Sequence, residues 1–169
     1  LLYGPATGTS DLANADGIFR GEAPMDNAGI AQAMGDVNGD GLADILLSSQ
    51  TNSATHLRGG AAYLVLGPAS GEMSLTAADA IIRGSAEAMA LGANVAIGAV
   101  DDDGYADVLV GAPGFSDGSE SGGGAFFFTG PLTGTRTATQ AQATICGDDG
   151  TSEAGQGVAI GDLDDDGWG

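Results

Sequence analysis

Residues 36–44 read DVNGDGLAD. Asp36, Asn38, Asp40 and Asp44 stand at positions 1, 3, 5 and 9 of this nonamer, Gly41 at position 6 permits a sharp turn, and Leu42 at position 7 offers its backbone carbonyl. Carboxylates this close oppose their own loop, since two unit charges about 4 Å apart repel by about 1 kcal/mol in water and by several times more where water is excluded. A cation among them removes that cost. The donors are all oxygen, without His or Cys, and an Asp able to bind through both oxygens in a flexible loop suits Ca²⁺ better than Mg²⁺, which demands a tighter octahedron. An EF-hand loop begins the same way but needs a bidentate Glu at position 12, and here that position is Leu47, inside an apolar run.

The nonamer is written nearly three times. GDVNGDGLADILLSS (35–49) lies over GAVDDDGYADVLVGA (98–112), and its opening lies over GDLDDDGWG (161–169), each 63 residues on and without insertion. The second copy offers Asp101, Asp103, the Tyr105 carbonyl and Asp107. Ala99 replaces its first acid, so this site is expected to be weaker unless Asp102 or water substitutes. The third offers Asp162, Asp164, Asp166 and the Trp168 carbonyl, with position 9 beyond residue 169. YGPATG (3–8), LGPASG (66–71) and TGPLTG (129–134) keep the same spacing, as do Gly21, Gly84 and Gly147.

The elements that must hold these loops are strands. Short apolar runs with β-branched or aromatic residues alternate with Gly, Pro, Asp and Ser clusters. Each unit holds four of them: IAQAMG, DILLSS, AAYLVLG and AIIRG in the first, then ANVAIG, DVLVGA, GAFFFTG and QATICG in the second. Only SLTAADAII (74–82) concedes a turn of helix. Four-stranded antiparallel units repeated in register suit the blades of a β-propeller, which protects strand edges by radial repetition; a β-solenoid is the second choice. The expected fold is therefore an all-β, incomplete propeller. Residues 1–27 are the end of one blade, opening in a strand at Leu1–Tyr3; 28–90 and 91–153 are whole repeats; 154–169 begin a further one.

Net charge is −19, with 23 acids against Arg20, Arg58, Arg83 and Arg136, which are scattered. Nucleic-acid backbones and anionic membranes would be repelled. No apolar run approaches the roughly 20 residues that span a bilayer. The lone Cys146 suggests neither a disulfide nor zinc. The metalloprotease motif HExxH does not occur, one His and one Cys leave little for nucleophilic chemistry, and acids committed to calcium make poor proton donors, so catalysis within these residues is not expected.

LGANVAIGAVDDDGYADVLVGAP (91–113) and its partners resemble the FG-GAP repeats of the integrin α-chain N-terminal β-propeller. The FG element falls on Leu91-Gly92, with Ala28-Gly29 and Ala154-Gly155 as looser versions, and the GAP element on Gly111-Ala112-Pro113, replaced in the first copy by Ser48-Ser49-Gln50. The resemblance implies seven blades, calcium in the loop between the first two strands of a blade, and adhesion or recognition outside the cell. Alternate loops of an up-and-down sheet lie at opposite ends. A protein or glycan ligand is therefore expected on the rim away from calcium, formed by 22–29, 50–59, 85–92, 113–122 and 148–155. Two other roles stay open: an accessory or substrate-binding propeller of a secreted hydrolase or lyase, and a structural spacer of a large surface protein. A site missing a ligand, or tuned to the roughly 10⁻⁴ to 10⁻³ M affinity of extracellular modules, fills only outside the cytosol.

Overall fold

The structure, a computed structural model, describes residues 1–5, 8, 9, 11–118, 122–162, 164 and 167. The described secondary structure is all β, with short 3-10 turns and no α-helix. The strands are β1 (Gly17–Arg20), β2 (Gln32–Gly35), β3 (Asp44–Ser49), β4 (Ala61–Val65), β5 (Gly71–Ser74), β6 (Ala80–Arg83), β7 (Val95–Gly98), β8 (Asp107–Ala112), β9 (Gly124–Phe128), β10 (Gly134–Thr137) and β11 (Ala143–Cys146). Single 3-10 turns occupy Leu12–Asn14, Leu75–Ala77 and Ala138–Gln140, the second within the stretch conceded to helix.

Three sheets result. The first has the order β10-β6-β4-β3-β2, the second β11-β9-β8-β7, and β1 pairs with β5 alone. Within the first, each neighbouring pair of β2, β3, β4 and β6 is antiparallel, with Met34 opposite Ile45, Leu46 opposite Leu64 and Ala62 opposite Ile82. The second repeats this arrangement in β7, β8, β9 and β11. All eight strands coincide with the sequence runs expected for the two whole units.

Two features differ from expectation. Each unit carries a fifth short strand, β5 or β10, that pairs in parallel with the outermost strand of the unit before it, joining Gly71 to Gly17 and Gly134 to Ala80. At the N-terminus, Leu1 and Gly17 exchange two backbone hydrogen bonds, but residues 1–3 form no strand. The physical reason lies in the neighbours: β4 is flanked by β3 and β6, whereas among the described residues the Leu1 backbone bonds to Gly17 of β1 alone.

The central strands β3 and β4 of the first sheet are buried on both faces, which is why they read as nearly continuous apolar runs rather than alternating ones. Leu46, Ala62, Leu64 and Ile82 pack against Val108, Val110, Phe126 and Phe128 of the second sheet. On the other side Ile45, Tyr63, Val65 and Ile81 pack with Leu75, Phe19 and Leu1. Gly35 lets β2 approach β7, since a Cβ there would collide with Ile97, and Gly98 stands in the same relation to Ile160. Each fully buried side chain of this kind contributes about 1.5 to 3 kcal/mol. No helix among the described residues is long and apolar enough to cross a membrane.

Candidate cation-binding loops

The first nonamer is the hairpin loop between β2 and β3, and its backbone wraps around Asp36. Asp36 Oδ1 accepts the N–H groups of Gly39 at 2.7 Å and Asp40 at 3.1 Å, and Oδ2 accepts that of Gly41 at 2.7 Å. Asn38 Oδ1 accepts from the Asp40 N–H, and Asp40 Oδ1 from the Leu42 N–H. The path needs left-handed backbone at Gly39 (φ 75°) and Gly41 (φ 83°), open to glycine without a Cβ penalty. Asp36 and Asn38 are half-buried, while Asp40 and Leu42 are exposed.

Asp44, the first residue of β3, is fully buried. Its Oδ2 accepts the Val37 N–H at 2.8 Å, closing the loop, and its Oδ1 accepts the Gly67 N–H at 2.9 Å, tying in the turn after β4. Asp107 does the same with Val100 at 2.9 Å and Gly130 at 3.0 Å. The position-9 acid is therefore a lock between two loops, whatever else it binds. A carboxylate has about four lone-pair sites, so these bonds leave capacity for a cation.

In the second loop the bonds from Asp103 N–H to Asp101 Oδ1 and from Tyr105 N–H to Asp103 Oδ1 reproduce those of the first. The three bonds that Asp36 collects have no counterpart, because Ala99 has no carboxylate. In the third, Gly167 N–H donates to Asp162 Oδ2 at 2.8 Å, the bond that Gly41 makes to Asp36. Asp162 and Asp164 are exposed; Asp166 and Trp168 lie outside the described residues. The first two loops touch: the Ala106 N–H donates to the Asp36 carbonyl at 2.9 Å.

The donor set of the first loop fits a hard divalent cation in its chemistry: carboxylates of Asp36, Asp40 and Asp44, the Asn38 amide oxygen and the Leu42 carbonyl. It is not drawn into a cage. Among the described residues, no three His, Cys, Asp or Glu side chains are grouped to hold a metal ion. The loops are organised by their own amides.

Sequence reasoning missed a second polar cluster, at the opposite end of the first sheet. Arg83 at the end of β6 donates through Nη2 to Glu22 Oε1 at 2.6 Å and through Nη1 to Glu22 Oε2 at 3.1 Å. The Asn52 amide nitrogen donates to Glu22, Asp26 and the Tyr63 hydroxyl oxygen at 3.0 to 3.1 Å, and Asn52 Oδ1 accepts from Arg83. Ser49 donates to the Asp26 carbonyl, and Asp26, Asn52 and Tyr63 are all buried. Hydrogen bonds from Arg83 hold the Glu22 carboxyl below the usual glutamate range, and burial pushes the Tyr63 hydroxyl up.

The signal for this cluster was a departure from the repeat. The positions 63 residues on are Ser85, Met89, Phe115, Phe126 and Cys146, where Phe115 and Phe126 meet edge to face at 5.0 Å. One seam is polar and its copy apolar. The same rim carries the loop 50–59, exposed over 53–58 with His56, which leans on the next through bonds from the Ala88 and Ala90 N–H groups to the Leu57 and Arg58 carbonyls. Compared with known proteins, the chain matches no family model and no curated sequence.

Proposed function

We propose that the chain is part of a calcium-binding, non-catalytic β-propeller of the FG-GAP type, working outside the cell in adhesion or in recognition of a protein or glycan. The observation that carries this reading is the nonamer hairpin itself. It recurs 63 residues apart at the same end of two packed sheets, with the same pair of locking bonds from Asp44 and Asp107 and an all-oxygen donor set at its tip. Asp36, Asn38, Asp40, Asp44 and the Leu42 carbonyl hold the ion in the first loop. Asp101, Asp103, Asp107 and the Tyr105 carbonyl do so less tightly in the second, and Asp162, Asp164, Asp166 and the Trp168 carbonyl serve the third. Bound calcium neutralises the crowded acids and stiffens the hairpin tip. The rim bearing 22–29, 50–59 and 85–92 is then the face for the ligand.

Isothermal titration of chelator-stripped protein with CaCl₂ tests the reading. Uptake that is abolished at the strongest site by Asp36→Asn with Asp40→Asn supports it; the absence of any uptake at millimolar calcium overturns it.

A further inference from the structure

Asn38 is followed by Gly39, and no other asparagine of the sequence precedes a glycine. At such a step the asparagine side chain lies most open to attack by its own backbone, because glycine puts no Cβ in the way. Gly39 is not free to be a bulkier residue. Its backbone is left-handed, with φ 75°, and a Cβ there would sit 2.9 Å from the Tyr105 ring. The turn that wraps the first loop therefore places a chemically labile pair at a hairpin tip, with Gly39 exposed and Asn38 half-buried.

The chemistry open to this pair is deamidation. The Gly39 nitrogen gives up its proton and bonds to Asn38 Cγ, the Cγ–Nδ2 bond breaks, and the side-chain nitrogen takes up a proton and leaves as ammonia. Water then opens the cyclic imide at one of its two carbonyls. Opening at one leaves an ordinary aspartate, the residue that Asp101 and Asp164 supply at this position of the other two copies. Opening at the other leaves isoaspartate, whose main chain is longer by one methylene. That extra length falls inside the stretch whose Gly39, Asp40 and Gly41 N–H groups must all reach Asp36, and it puts them out of register.

Both partners of the reaction are held in the folded loop. The Gly39 N–H donates to Asp36 Oδ1 at 2.7 Å, and a carboxylate there opposes negative charge on the nitrogen. The Asn38 carboxamide is tied at both ends: Oδ1 accepts the Asp40 N–H and Nδ2 donates to Asp40 Oδ2, each at 3.0 Å. We propose that Asn38 is a site of spontaneous modification by water, held back in the folded chain by Asp36. Deamidation then marks, irreversibly, those molecules whose first loop has opened. The second loop supplies the contrast, since Ala99 offers no carboxylate to the backbone at 101 and 102.

Peptide mass spectrometry after incubation at neutral pH tests this, in chelator so that the outcome is independent of calcium. Trypsin cuts after the four arginines, which puts Asn38 in the peptide 21–58 and the second loop in 84–136. In folded wild type Asn38 converts at least about tenfold more slowly than in urea, the factor set by a loop that is open about a tenth of the time or less. Asp101→Asn with Asp102→Gly, both at exposed positions, writes the same step into the loop without the guard, and this step converts at least about tenfold faster than Asn38 in the same folded molecule. Adding Ala99→Asp slows it again. Asp36→Ala brings Asn38 to its urea rate; should circular dichroism show that variant unfolded, the second-loop variants decide. A wild type that converts as fast folded as in urea overturns the inference, as does an engineered second-loop step that is no faster than Asn38 or is indifferent to Ala99→Asp.

Discussion

Arg83 grips Glu22 through both guanidinium nitrogens, at 2.6 and 3.1 Å, and this ion pair fastens the segment entering the first unit to that unit's outermost strand. Both side chains are largely buried, at 13% and 10% exposure, so removing one partner strands the other. Glu22→Gln is expected to cost of order 3 kcal/mol in urea unfolding. Replacing the whole cluster by the residues of the second seam (Glu22→Ser, Ser49→Ala, Asp26→Met, Asn52→Phe, Tyr63→Phe, Arg83→Cys) is expected to be close to neutral, within about 2 kcal/mol, because the copy packs without charge. A multiple variant as unstable as the single one would refute this.

The same pair sets a pH dependence. The Glu22 pKa is lower in the folded chain than in the unfolded one, so folding favours the ionised form. Its contribution is complete above the ordinary glutamate value of about 4.3 and is lost as pH falls through the depressed folded value. Unfolding midpoints followed below pH 5 should fall more steeply for wild type than for Glu22→Gln. Parallel curves would show that Glu22 is not the linked group.

Asp44 and Asp107 are expected to matter with or without calcium. Each is itself fully buried and satisfies two backbone N–H groups, of which the one from Val37 to Asp44 is fully buried. Asp44→Ala should therefore cost of order 3 kcal/mol even in chelator. Asp40→Asn, on an exposed tip, should leave the calcium-free stability within about 0.5 kcal/mol of wild type. Denaturation in chelator separates the two; an Asp44→Ala loss as small as that of Asp40→Asn would refute the locking role.

The strands of both whole units were legible because their runs are apolar or β-branched, continuous where β3, β4 and β8 are buried, and their boundaries are marked by Gly and Asp. β5 and β10 were not, since GEMS and GTRT are polar and mostly solvent-facing, held by edge hydrogen bonds that leave no apolar period. The nonamers gave the position of the loops, but not the burial of Asp44, which depends on Gly67 coming back from the far end of β4. The Glu22 cluster leaves no trace in the repeat because its members come from four separate segments (22–26, 49–52, Tyr63 and Arg83) and occur in one seam only.

Sheet spacing supplies a further test. A Cβ at Gly35 or Gly98 would meet the side chain of Ile97 or Ile160, and neither β2 nor β7 can retreat without breaking its ladder. Gly35→Ala is expected to cost about 1 to 3 kcal/mol as an overpacked core. Pairing it with Ile97→Ala should return less than the sum of the two single losses, because the methyl then occupies space the isoleucine vacated. Strict additivity in a double-mutant cycle would contradict the contact.

Under the proposed calcium reading, Ala99 sets the expected rank of the loops. In the first loop the acid at this position gathers three N–H groups and holds the backbone wrapped; in the second the corresponding Asp102, Asp103 and Gly104 have no such centre. Ala99→Asp adds both a ligand and that organising carboxylate, so it should tighten the second site by about tenfold or more, at least ~1.4 kcal/mol. The measurement is a CaCl₂ titration in a background of Asp36→Asn and Asp162→Asn, which leaves the second loop as the site read out. In the absence of calcium the same substitution should lower stability slightly, since it adds a fourth acid near Asp101, Asp102 and Asp103 without neutralising any. Tighter binding together with a less stable calcium-free state identifies the new carboxylate as a ligand; a gain in stability without calcium and no gain in affinity would assign it to the backbone alone.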